Sequence, residues 1–170
     1  SASVNGKEMH VNGTCACDCV GCYAKTGFFR MHSTVNSLAA KTVLAREHVD
    51  FLKRAILAQI EADKIETIRI HASGDFVSDE YAQMWFEIAR EKANVKFWTY
   101  TKIAKYESLF STLENANIVK SIIPNVGLNY GHIDYVKSTF EKLESAGKAV
   151  HICRCGIDKN QHCTNCKGCA

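Results

Sequence analysis

Apolar residues recur along this chain with two alternating periods. Val49, Leu52, Ile56 and Ile60 follow helical spacing, with Lys53, Arg54 and Glu61 on the other side, which predicts a helix over 48–62. A shorter helix before it starts at Asn36 or Ser37 and runs to about Arg46. Residues 65–71, Ile-Glu-Thr-Ile-Arg-Ile-His, are rich in β-branched side chains and stop at Ser73-Gly74-Asp75, so they read as a strand. Ser78 is a good N-cap, and Asp79 and Glu80 suit the positive end of a helix running to about Ala93 with Tyr81, Met84, Trp85 and Ile88 inward. The alternation continues with a strand over 95–101, a helix over 105–115 and a strand over 118–123 that Pro124 ends. A helix over 134–146 follows, with Gly147 in the expected C-terminal position, and then a last strand over 149–153. Near the N-terminus, residues 7–11 form a first strand, and residues 23–34 are irregular, with Phe28 and Phe29 packing near the preceding loop or in plain core.

Strand and helix alternating in this way mean βα units and a parallel sheet. About five units are present, and a closed eight-unit barrel needs about 250 residues. At 170 residues the expectation is an α/β fold, a partial (βα)5–6 barrel with parallel strands over 1–152, followed by a Cys-rich segment over 153–170. In such folds chemistry gathers at the carboxyl ends of the strands. Residues 15–22, Ser73-Gly74-Asp75, Thr101-Lys102, 125–127 and Cys153 all fall there. Period-two alternation turns Ile68 and Ile70 toward the covering helices and Arg69 and His71 into the barrel. In the next strand either Trp98, Tyr100 and Lys102 or Phe97, Thr99 and Thr101 point inward. The first set is preferred, because Lys102 would reach a carboxylate or phosphate at the strand end. His71, Arg69, Tyr100 and Lys102 are therefore candidates for the chemistry. His71 reads equally as a hydrogen-bonded core histidine, and Lys102 as a solvated loop residue.

Composition narrows the class. The chain is 46% hydrophobic and 23% charged with a formal charge of +3, an ordinary globular balance without a strong pull toward nucleic acid or an anionic membrane. No apolar run is long enough to cross a bilayer and no signal-peptide segment is visible, so the expected location is cytoplasmic. The nine cysteines change the picture. Four lie within 15–22 and five within 153–169, with none between. Two tight clumps read as metal ligation rather than as a disulfide framework. Cys15, Cys19 and Cys22 have the spacing C-x3-C-x2-C. Three thiolates on a cubane iron–sulfur cluster leave one iron open to another ligand. At the other end Cys163, Cys166 and Cys169 follow C-x2-C-x2-C, and Cys153, or alternatively Cys155, completes four. That set closes a second [4Fe–4S] site or binds zinc. His162 is a substitute ligand, and Cys17 is left over as a free thiol.

The C-x3-C-x2-C loop, followed by Tyr23 and preceding a run of βα units, resembles the radical S-adenosylmethionine (SAM) superfamily. Ser73-Gly74-Asp75 stands where that superfamily carries a Gly-Gly-Glu motif, with Ser for one Gly and Asp for Glu. Cys22-Tyr23-Ala24, His71-Ala72-Ser73-Gly74-Asp75-Phe76, Tyr100-Thr101-Lys102 and the terminal cysteine run, in that order, resemble more narrowly the phage "gene product eighty-eight" family of small radical-SAM-like iron–sulfur proteins. The resemblance covers nearly the whole chain. It implies two [4Fe–4S] clusters, SAM held by Tyr23, Ser73, Gly74 and Asp75, and an electron donor such as flavodoxin or ferredoxin. It also implies reductive cleavage of SAM to a 5′-deoxyadenosyl radical that acts on an unidentified substrate, macromolecular if the partial barrel leaves a wide mouth, in the host cytoplasm if the protein is phage-encoded. The competing reading is a non-catalytic iron–sulfur or zinc protein that uses the same scaffold for binding.

Overall fold

The computed structural model describes residues 2–4, 7–9, 13–14, 24, 27–120, 141 and 145–147. A 3-10 turn, Gly27–Arg30, leads into helices α1 (His32–Glu47) and α2 (Val49–Asp63). The chain then alternates through β3 (Thr67–Arg69), α3 (Asp79–Glu91), β4 (Lys96–Thr101), α4 (Ala104–Phe110) and β5 (Ala116–Lys120). The three strands form a parallel sheet in the order β3-β4-β5, with Ile68 opposite Phe97 and Thr99 opposite Ile118. The architecture is mixed α/β, and these βα crossovers are the unit that the sequence periodicity predicts.

The sheet has two unlike faces. Phe97 and Ile118 join Val49 and Ile60 of α2, the Tyr81-Met84-Trp85-Ile88 stripe of α3, and Tyr106 and Phe110 of α4 in one core. Each large side chain buried in this way contributes roughly 1.5–3 kcal/mol. Thr99 and Thr101 share the helix-covered face and are 1% exposed. Trp98 and Tyr100 alternate to the other face, where they are half-buried and meet edge to face at 6.0 Å. Ser78 caps α3, its hydroxyl accepting from Tyr81 N at 3.1 Å. Lys64 ends α2 in the left-handed region at φ 51.

Several elements differ from the sequence reading. The strand expected over 7–11 is Lys7–Met9 (β2), and it pairs antiparallel with Ala2–Val4 (β1) rather than in the parallel sheet. The register sets Val4 opposite Lys7, so two residues connect the strands, and Asn5-Gly6 is the dipeptide such hairpins favour. Helix α1 starts at His32, within the stretch expected to be irregular, because the 3-10 turn feeds it directly: Met31 N donates to Phe28 O and Val35 N to Met31 O. Helix α4 ends at Phe110, short of 115. Asn115 serves the next crossover instead. Its side-chain amide donates to Ala89 O, Lys92 O and Val95 O at 2.9, 3.1 and 2.9 Å, and its carbonyl accepts from Phe97 N at 2.7 Å. Of the helix expected over 134–146, Glu141 and Ser145 are helical, and Gly147 takes φ +70. Residues 125–127, the strand over 149–153, both cysteine segments and the boundary at 152–153 lie outside the described residues. Within the described residues the parallel sheet has three strands, and no helix is long and apolar enough to cross a membrane.

Asn115 thus caps the carboxyl end of α3 and fixes the start of β5 with one side chain. Asn115→Ala removes the amide from Ala89 O and Val95 O, while Lys92 O keeps Val95 N, and is expected to destabilise the fold by about 2 kcal/mol in denaturant unfolding. A midpoint equal to wild type would show that water replaces the amide without loss.

Candidate functional site

The carboxyl ends of β3 and β4 lie side by side, and the loop after β3 is folded onto the end of β4 by one carboxylate. Asp75 is 4% exposed. Its Oδ1 accepts from Thr101 Oγ1 at 2.7 Å and from Phe76 N at 2.8 Å, and its Oδ2 accepts from Lys102 N at 2.8 Å. Thr101 Oγ1 in turn accepts from Ile103 N at 3.1 Å. Burying a carboxylate is costly, and three donors on its oxygens offset that cost.

The same loop holds the segment that leads to the first cysteines. Asp75 N donates to Thr14 Oγ1 at 3.2 Å, and Thr14 directly precedes Cys15 in the chain. Gly74 sits at φ +82, and a Cβ there would lie 2.0 Å from Thr14 Oγ1. Glycine is needed for its conformation and because Thr14 occupies the space a side chain would take. On the other side Arg46 of α1 donates to Gly13 O at 3.4 Å. Residues 13 and 14 are therefore held between α1 and the β3 loop.

His71 takes a different course from the one strand alternation predicts. β3 ends at Arg69, so the period of two no longer governs the residues after it. His71 turns toward the helix-covered side. Its ring meets Phe76 edge-on at 4.7 Å and lies 5.8 Å from Tyr81. Its Nδ1 is 3.2 Å from Thr99 Oγ1, and its Nε2 is buried without a hydrogen-bond partner among the described residues. Burial lowers its pKa from 6.5 to about 4; the Asp75 charge opposes that shift and Arg69 adds to it. The imidazole is neutral at neutral pH. Arg69 keeps to the opposite face, with its guanidinium 5.0 Å over the Trp98 ring and its Nε donating to His71 O at 2.8 Å.

A cleft of about 260 Å³ opens between α1 and the end of β3. Lys41, Thr42, Arg69, His71, Ser73 and Asp75 supply its polar lining, and Thr14 and Tyr81 also border it. The candidates Arg69, His71, Ser73 and Asp75 come together here. Gly74 lies beneath Thr14, and Tyr100 and Lys102 are half-buried at the end of β4. Tyr23 and all nine cysteines lie outside the described residues. Among the described residues no group of three or more His, Cys, Asp or Glu is placed to hold a metal ion. Sequence reading missed Thr14, Lys41, Thr99 and Thr101. The residue before the cysteine loop and a hydroxyl-bearing face at a strand end were the available signals. A second depression, about 420 Å³ around Asn94, Lys96 and Glu114, lies at the amino ends of the strands, away from these groups.

Two measurements test the site. Asp75→Asn puts an amide where three donors converge and is expected to lower stability by about 1–3 kcal/mol, with the amide resonances of Phe76 and Lys102 shifted most. For His71, the unfolded chain takes up a proton near pH 6.5 and the folded chain only near 4. The folded state thus binds fewer protons between those values, and stability falls as pH drops from 6.5 toward 4. His71→Gln should flatten that part of the pH profile; an unchanged profile would exclude His71 as its source.

Residues 7–170 match the family model described as Gene product 88. A Gene 88 protein of Mycobacterium phage L5 is 29% identical over 123 aligned positions, covering 59% of this chain and 49% of that protein. A Gene 88 protein of Mycobacterium phage D29 is 30% identical over 105 positions, covering 55% of this chain and 42% of that protein. The alignments span about half or less of the length of these relatives. No solved structure matches the chain. The family match takes in the cysteine loop, the β3 and β4 strand ends and the C-terminal cysteines together, and the chain belongs to the Gene product 88 family.

Proposed function

We propose that the chain is an iron–sulfur protein of the radical SAM kind, an enzyme that cleaves SAM reductively and directs the resulting radical to a substrate. The observation that carries this reading is the tie of Thr14 to Gly74 and Asp75, which sets the residue before Cys15 against the loop at the end of β3. In a partial βα barrel that junction is where a cluster and a cofactor would meet. Cys15, Cys19 and Cys22 would hold a [4Fe–4S] cluster with one open iron. Cys163, Cys166 and Cys169, with Cys153 or Cys155, would hold a second.

The residues present suit SAM in a specific way. Ser73 has no hydrogen-bond partner among the described residues and lines the cleft. Together with the lone pair that Asp75 Oδ2 retains beside Lys102 N, its hydroxyl is the acceptor left for the SAM ammonium, and Tyr23 next to Cys22 would add a ring. When bound, SAM and the reduced cluster supply homolysis of the S–C5′ bond and a 5′-deoxyadenosyl radical. This chain's part is to anchor the cysteine loop through Thr14 and Gly13, to hold the β3 loop shut through Asp75, and to keep His71 neutral beside the cleft. Electrons would come from a flavodoxin- or ferredoxin-like donor, and the host cytoplasm is the compartment that keeps such a site reduced.

One observation favours a second reading, a non-catalytic iron–sulfur or zinc protein on the same scaffold. The carboxylate expected to take the SAM ammonium already accepts from three internal donors and is 4% exposed. Reconstitution under anaerobic conditions separates the two. The enzyme reading expects about eight irons per chain and 5′-deoxyadenosine on addition of SAM and dithionite, with product abolished in Cys19→Ala. Zinc in place of iron at the C-terminal site, with no 5′-deoxyadenosine formed, would sink it in favour of the second reading.

A further inference from the structure

We infer that the cleft between α1 and the end of β3 binds a small oxyanion-bearing ligand, a carboxylate or phosphoryl compound, as a molecule separate from SAM. Calling that ligand the substrate rests on the function proposed above; the binding itself does not.

The charges lining the cleft are unequal. Lys41 projects from α1 and forms no ion pair among the described residues. Arg69 is held in place twice, by its stack on Trp98 at 5.0 Å and by its Nε bond to His71 O at 2.8 Å. Its terminal amino groups have no carboxylate partner among the described residues. A guanidinium fixed in plane loses little freedom when it grips an oxyanion through two parallel bonds.

The opposing charge is small. Asp75 is the carboxylate that lines the cleft, and its oxygens accept from Phe76 N, Thr101 Oγ1 and Lys102 N. His71 is neutral. Its Nε2 is buried without a hydrogen-bond partner among the described residues.

Ser73 offers an acceptor to the SAM ammonium at one edge of the cleft, but the Lys41 and Arg69 side suits the rest of SAM poorly. It carries a sulfonium and an ammonium against one carboxylate, so two unpaired cations oppose it, while an oxyanion meets them favourably. A volume of about 260 Å³ is below the range of drug-sized pockets and suits a small anion or the anionic end of a larger molecule.

The test uses the full chain, reconstituted anaerobically and labelled with 15N. Inorganic phosphate and succinate are titrated separately at constant ionic strength, and the amides of residues 38–45 and 69–77 are followed. The expected result is saturable shifts in these two segments with one of the probes, phosphate marking a phosphoryl ligand and succinate a carboxylate. Lys41→Gln and Arg69→Gln should each weaken that binding roughly tenfold, and Lys41→Gln should leave the unfolding midpoint unchanged. The inference is overturned if neither probe gives saturable shifts, if both substitutions leave the affinity as it was, or if SAM displaces the anion. A chain that binds the anion but leaves SAM uncleaved loses the proposed function and keeps this site.

Discussion

The carboxyl end of the sheet depends on the carboxylate of Asp75. Parallel strands have no tight turn to join them, so the loops leaving β3 and β4 run to separate helices, and past the bond from Ile70 N to Trp98 O at 3.0 Å the link between them falls to side chains. Asp75 supplies that link. Its two oxygens take donors from its own loop, from the side chain that ends β4 and from the backbone just beyond. Its amide holds Thr14. Three segments far apart in sequence meet at one residue, and each lies within the residues that match the family model.

The latch works through hydrogen bonds rather than through a salt bridge, and this affects the chemistry around it. A buried carboxylate matched by a cation would neutralise a positive residue at the site. Here the donors are amides and a hydroxyl, so Arg69 and Lys41 keep their charges unmatched among the described residues at the cleft. His71 adds no charge, because the cost of burying an imidazolium outweighs the attraction of the nearby Asp75. The site therefore combines a rigid polar hinge with a positive cleft lining.

Much of the framework was legible in the sequence because it rests on periodicity. The helical stripe of Tyr81, Met84, Trp85 and Ile88, the Ser78 cap and the alternation of Phe97, Thr99 and Thr101 against Trp98 and Tyr100 are local patterns, and local patterns survive folding. What the sequence reading missed depends on where an element stops or on a partner distant in sequence. His71 was assigned to the face of Arg69, and it lies on the other because β3 ends first. Asn115 stands last in the helix expected over 105–115, and instead it bonds the end of the preceding helix, 26 and 23 residues earlier in the chain at Ala89 and Lys92. Asp75 looked like a ligand contact, whereas its acceptor capacity is largely taken up inside the fold. The hairpin of β1 and β2 could have been read from Asn5-Gly6, and the alternating residues around that dipeptide are too few to draw notice.

The Ser73-Gly74-Asp75 motif accordingly divides into parts with different work. Gly74 and Asp75 face inward. One makes room for Thr14, and the other ties the strand ends and holds Thr14 through its amide, so both set the position of Thr14. Ser73 lines the cleft, and its hydroxyl has no hydrogen-bond partner among the described residues. A side chain at position 74 would displace Thr14 and with it the approach of the chain to Cys15, whatever the cleft held. A change at position 73 would alter what the cleft holds and leave the loop in place. The motif is better understood as a joint with one ligand-facing residue than as a three-residue binding surface. A carboxylate so fully occupied inside the fold acts on the cleft by position, through the segments it ties together, rather than by contact.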